Sequence, residues 1–201
     1  MKKMNLLWNG LPNFVDVGGT PYKINTDFRV SVAFELLMQD SKIAPEDKAD
    51  KAISLYYPRV PHDIQAAGDA LINFYRCNRE LLQNDGGKGN YKQPYSFKYD
   101  DQYIYSAFWQ QYGIDLERAN IHWWKFRSLF NGLTSDTLFV KIMGWRSAEI
   151  DSKAPASERN RLLKLKQLYA LPKSTAQDKE AEKIKQILMG NGNLQDLIKP
   201  K

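Results

Sequence analysis

The stretch Phe14-Val15-Asp16-Val17-Gly18-Gly19-Thr20-Pro21-Tyr22-Lys23-Ile24-Asn25-Thr26-Asp27-Phe28 changes period partway through. Phe14 to Val17 and Tyr22 to Ile24 alternate, with Gly18-Gly19 between them. Glycine adopts the positive φ of a tight hairpin turn, so the pattern predicts a β-hairpin. Pro21 has no N–H for a ladder, which makes its strand an edge. From Thr26 onward the spacing is helical: Thr26 or Asp27 caps a helix to Met38 with Val30, Ala33, Phe34, Leu37 and Met38 apolar. A lone hairpin is marginal in water and needs something to pack on.

Helical stretches downstream supply that surface. Pro45 opens a helix, with Glu46 and Asp47 in its first turn, that stops at Tyr57-Pro58. His62 or Asp63 starts a long helix with Ile64, Ala67, Leu71, Phe74 (or Tyr75) and Leu81 at helical spacing, ending near Leu82 and taking in Cys77. The polar, glycine-rich run Asn84 to Asn90 reads as a loop. Asp100 or Asp101 caps a helix bearing Ile104, Ala107, Phe108 and Gln111 and closed by Gly113. His122 to Phe130 is a further helix closed by Gly132, and Thr134 or Ser135 caps one bearing Leu138, Phe139 and Ile142. A linker at 151–157 leads to an amphipathic basic helix at 158–170 and a last helix at 176–189. The fold class is mainly α: an N-terminal β-hairpin packed on a multi-helix body, with a basic helical C-terminal arm.

Charge separates body from arm. The chain has 201 residues and a net charge of +6. Residues 1–150 carry 18 Lys/Arg against 17 Asp/Glu, whereas residues 151–201 carry 11 against 6. Of 25 aromatic residues only Tyr169 lies in the second segment. The expected domains are therefore an aromatic-rich, near-neutral body at 1–150 and a basic arm at 151–201. The single Cys77 excludes a disulfide framework within the chain. No apolar run reaches the roughly 18 residues of a membrane span. The start breaks at Asn9-Gly10, so no signal peptide and a cytoplasmic location are expected.

Catalytic constellations do not emerge. His62 and His122 are the histidine bases available, and each reads as a capping or interfacial residue. Cys77, on the apolar stripe of its helix, reads as a buried thiol. Gly86-Gly87-Lys88-Gly89 lacks the spacing and the preceding strand of a phosphate loop. Asp100-Asp101 fits a helix start better than a metal pair, because both carboxylates favour the positive end of the helix dipole. Thus no enzyme, no cofactor and no metal is expected. The run from His122 to Arg127 has the aromatic-basic texture of a single-strand platform. The neutral body argues against it, since phosphate binding needs concentrated positive charge, and Trp123, Phe126 and Phe130 recur as a core face.

Taken in order, several stretches resemble a known family. They are Ile24 to Arg29, Leu55-Tyr56-Tyr57-Pro58 with Pro61, Phe74-Tyr75-Arg76-Cys77, Tyr99 to Tyr105 with Phe108 and Gln110 to Leu116, His122 to Arg127 with Leu129 and Gly132-Leu133, and Lys141 to Gly144 with Arg146. Over about residues 4–172 the chain resembles the bacteriophage family named after gene product fifteen, found in siphophages and prophages of Gram-positive bacteria. The resemblance implies a tail assembly chaperone acting in the host cytoplasm. It would bind and solubilise the tape measure protein before the tail tube assembles, and the tube protein is a possible second partner.

The expected partner-binding residues are Trp109, Trp124 and Arg127 on the body, with Trp109 and Trp124 exposed. Arg161, Lys164, Leu165 and Leu168 complete the set on the arm. No membrane is expected as a partner, and self-association is compatible with the sequence. The alternatives are a structural component retained in the virion and a nucleic-acid-binding module using the basic arm.

Overall fold

In the computed structural model, residues 7–8, 10–78 and 94–172 are described. The glycine-rich run 84–90 and the expected helix at 176–189 lie outside them. Two strands precede seven helices among the described residues: β1 (Phe14–Val17), β2 (Thr20–Lys23), α1 (Phe28–Gln39), α2 (Pro45–Tyr56), α3 (Ile64–Tyr75), α4 (Asp101–Tyr112), α5 (Trp123–Asn131), α6 (Leu138–Ser147) and α7 (Ala156–Leu168). The mainly helical class with an N-terminal hairpin is as the sequence predicts. None of these helices is long and apolar enough to cross a membrane.

β1 and β2 pair antiparallel, with Val17 opposite Thr20, so Gly18 and Gly19 form a two-residue turn at φ 59° and 87°. The Asp16 carboxylate accepts the Gly19 N–H and fixes the turn. Pairing continues where the Ile24 N–H donates to the Asn13 carbonyl. The hydrogen-bonded positions of β1 are therefore the odd ones, and Pro21 stands where its missing N–H would have pointed away from β1.

The described residues cluster into two units. The first holds residues up to 78 together with Ile121–Ser128, and the second holds 94–120 together with 129–172. In the first, α1, α2 and α3 pack together and β1 lies against α3. Asp27 caps α1 by accepting the Arg29 N–H, and Asp63 caps α3 by accepting that of Ala66. The ring of Phe34 meets those of Tyr56 and Tyr75 edge-on at centroid distances of 5.5 and 5.2 Å.

The buried face of α1 is rotated from the expected one. Phe28, Ser31, Phe34, Glu35 and Met38 are inside, while Val30 and Leu37 are half-buried and Ala33 is exposed. Hydroxyl partners make this possible. Tyr56 donates to Ser31 Oγ at 2.7 Å, and Tyr75 donates to the Glu35 carboxylate at 2.6 Å. Polar side chains satisfied in this way occupy a core face that hydrophobicity alone assigns to aliphatics.

The helix expected to reach Leu82 ends at Tyr75. Cys77 and Asn78 adopt φ 59° and 50°. Asn78 N–H then bonds back to Asn73 O and Cys77 N–H to Phe74 O, the paired bonds of a Schellman stop. Cys77 thus lies beyond the helix and is half-exposed rather than buried on its stripe.

In the second unit α6 lies against α4 and α7 against α6. Tyr95, Phe97, Phe130 and Phe139 form a ring cluster, with Tyr95 and Phe130 centroids 4.9 Å apart. Gly113, at φ 65°, closes α4 as expected. The cap of α6 is Thr137, not Thr134 or Ser135. Thr134 is engaged elsewhere: its N–H and hydroxyl both donate to Gln111 Oε1, and its carbonyl accepts the Thr137 N–H.

Candidate functional site

The stretches that carry the resemblance meet in space within each unit. In the first, Trp123 N–H donates to Thr26 O, Phe28 N–H to Ile121 O and Asn25 N–H to Tyr56 O. The starts of α1 and α5 and the end of α2 are tied by these main-chain bonds. Trp123 and Trp124 add side-chain bonds. Trp123 Nε1–H donates to the Tyr75 carbonyl at 2.7 Å, and Trp124 Nε1–H donates to that of Phe74 at 2.8 Å. These carbonyls belong to the last turn of α3, where acceptors are left for donors from outside the helix, and that of Phe74 takes the indole beside the Cys77 N–H.

His122 anchors the same knot. Its Nδ1 accepts the Trp124 N–H at 3.0 Å and its Nε2 lies 2.9 Å from the Pro12 carbonyl. An acceptor at Nδ1 and a donor at Nε2 define the neutral ring. Burial lowers the pKa of His122, and the bond to Pro12 only partly opposes this. Hence His122 is a structural fastener that holds an indole-bearing turn in place.

In the second unit the counterpart is Arg146. It grips Asp100 through two bonds of 2.7 and 2.8 Å, and also donates to the Pro94 and Tyr169 carbonyls. Asp100 is fully buried and also accepts the Ser96 N–H. The residue stands at the N-cap position of α4, yet its carboxylate does not cap that helix as expected, because arginine and the Ser96 amide take its oxygens. Lys166 of α7 donates to the carbonyls of Trp145, Arg146 and Ala148 at the end of α6, where a cation favours the helix dipole.

The expected partner-binding residues divide. Trp124, expected at the surface, is 2% exposed, since its indole N–H reaches a helix-end carbonyl. Arg127 is half-buried with its guanidinium 5.4 Å from the Trp123 ring centroid. Trp109 is 56% exposed and lies one turn from exposed Tyr105 on α4. On α7, Asn160, Arg161, Lys164, Gln167 and Leu168 form the outer face, all exposed, with Leu168 at 71%. Leu165 is half-buried on the inner edge with Arg159, Leu162 and Lys166. Leu163, 47% exposed, borders the outer face, so that side of α7 sets two open leucines beside Arg161 and Lys164. Arg146 and Asp100 were not legible as a pair, because they stand 46 residues apart.

Among the described residues, no group of three His, Cys, Asp or Glu side chains is placed to hold a metal. No curated protein and no solved structure matches the chain. The family model for the bacteriophage Gp15 protein matches residues 7–171. The motif stretches, the buried knots they build and this match agree, and the chain belongs to the bacteriophage Gp15 protein family.

Proposed function

We propose that this protein is a non-enzymatic tail assembly chaperone that holds the tape measure protein in the host cytoplasm before tube subunits surround it. Family membership, matched over residues 7–171, is the observation that carries this reading. The surface chemistry supports it. Trp109 and Tyr105 are large apolar side chains left open on α4, and Leu168 is open on a cationic helix.

A helical client presenting long apolar faces aggregates unless those faces are covered. Covering them removes area worth about 25 cal/mol per Å², less the cost of ordering. A hold that must later yield to tube subunits is best built from several modest contacts. Co-expression with the tape measure protein tests this: more soluble client and a co-purifying complex are expected, and neither appearing contradicts it.

The exposed Arg161 and Lys164 favour one second reading, a contact with nucleic acid through α7. A salt titration of DNA binding separates the two, since phosphate contacts give a steep salt slope.

A further inference from the structure

The bonds that hold α7 on its unit gather at its C-terminal end. Lys166 Nζ donates to the carbonyls of Trp145, Arg146 and Ala148 at 3.2, 2.9 and 2.7 Å. Three residues on, the Tyr169 ring stacks on Trp145 with centroids 5.2 Å apart and meets Tyr103 of α4 edge-on at 6.2 Å. The Tyr169 carbonyl accepts the Arg146 Nε–H. Toward the other end, Arg159 donates to the Ser152 and Ala154 carbonyls, which belong to the arm's own linker. No residue of α7 is buried: Leu162 and Leu165 are half-buried, and Leu163 and Leu168 are open.

We propose that this seat on α6 is a binding face for the C-terminal turn of an amphipathic protein helix, and that α7 is its resident, exchangeable occupant. The seat reads three features of such a turn. The end of α6 takes an ammonium, which its dipole favours. The Trp145 indole takes an aromatic ring three residues further on. The Arg146 Nε–H takes a carbonyl that the incoming helix leaves open at its end. Vacating the seat strands no buried charge, because Arg146 keeps Asp100 and the Pro94 carbonyl. An element with few buried contacts opens well below global unfolding. The tethered α7 acts at an effective concentration of about millimolar, so a partner helix wins by matching the seat while also holding the chain elsewhere. The inference deepens the chaperone reading by giving a client helix its seat; its test uses no client, so the two fail separately.

Native-state hydrogen exchange and peptide binding test this on the full chain. Amides of α7 are expected to exchange at least about a hundredfold faster than those of α4 at the buried Ile104, Ala107 and Phe108. Lys166→Ala with Tyr169→Ala removes both side-chain anchors. It is expected to speed α7 exchange by about tenfold or more while α4 keeps its protection, which shows that the unit still folds. A labelled peptide of residues 156–171 is the partner probe. It is expected to bind the double variant at least about tenfold tighter than the wild-type chain, whose own arm competes. The same peptide carrying Lys166→Ala and Tyr169→Ala should lose that binding. Amides of α7 that exchange no faster than those of α4 overturn the proposal. So does a peptide that binds both chains equally, or one whose binding survives the loss of its lysine and tyrosine.

Discussion

The indole N–H of Trp123 donates to the main-chain carbonyl of Tyr75 over 2.7 Å, and the two rings stack with centroids 5.2 Å apart. One residue on, Trp124 repeats the bond on Phe74. Consecutive indoles thereby serve the last turn of α3, which ends at Tyr75. The sequence Trp123-Trp124 holds α5 against α3 by hydrogen bonds as well as area.

Trp123→Phe keeps most of the ring area but leaves the Tyr75 carbonyl without its indole donor. We expect a loss of about 1–3 kcal/mol. A urea titration should show a lower midpoint with an unchanged slope. A change within about 0.5 kcal/mol, typical of surface positions, would contradict the role given to this bond.

Arg146→Ala strips the partner from a fully buried carboxylate, Asp100, and frees the carbonyls of Pro94 and Tyr169. The expected cost is about 3–5 kcal/mol. Arg146→Lys should not rescue it fully, because an ammonium lacks the planar fork. Arg146→Met combined with Asp100→Asn should cost less than Arg146→Ala alone; denaturation of the three variants decides the matter.

His122 gives stability a pH dependence of known sign. Burial depresses its folded pKa below the usual value of about 6.5. Between the two values the unfolded chain binds more protons than the folded one, so stability rises with pH there. Its contribution is complete above about pH 6.5 and is lost as pH falls toward the folded value. Protonation at Nδ1 would also oppose the Trp124 N–H with another donor. His122→Gln should flatten this part of the stability profile, and an unchanged slope in the variant would exclude His122 as its source.

The hairpin and most helices were legible because their signals are local. Gly18-Gly19 states its own turn, and Asp27, Asp63 and Gly113 mark ends through bonds to residues a few positions away. The stop of α3 was not legible: its left-handed residues are Cys77 and Asn78, where glycine would have signalled it. Trp124 looked like a surface residue because its acceptor, Phe74 O, lies 50 positions earlier. Ser31 and Glu35 were missed as core for the same reason, since their tyrosine partners come from other helices. Of the expected surface set, Trp109, Arg161, Lys164 and Leu168 stand open to solvent.

Those open residues separate recognition from stability. Trp109→Ala and Leu168→Ala should each move stability by less than about 0.5 kcal/mol, while weakening capture of the tape measure protein. Equal capture by the double variant would move the contact elsewhere on the chain.

The most direct trial is a pull-down of the tape measure protein from cells expressing both chains, with mass spectrometry of finished virions alongside. The chaperone account predicts a soluble complex of the two proteins and virions that lack this chain. A tape measure protein that stays insoluble and uncaptured, or stoichiometric copies of this chain in the mature particle, would contradict it.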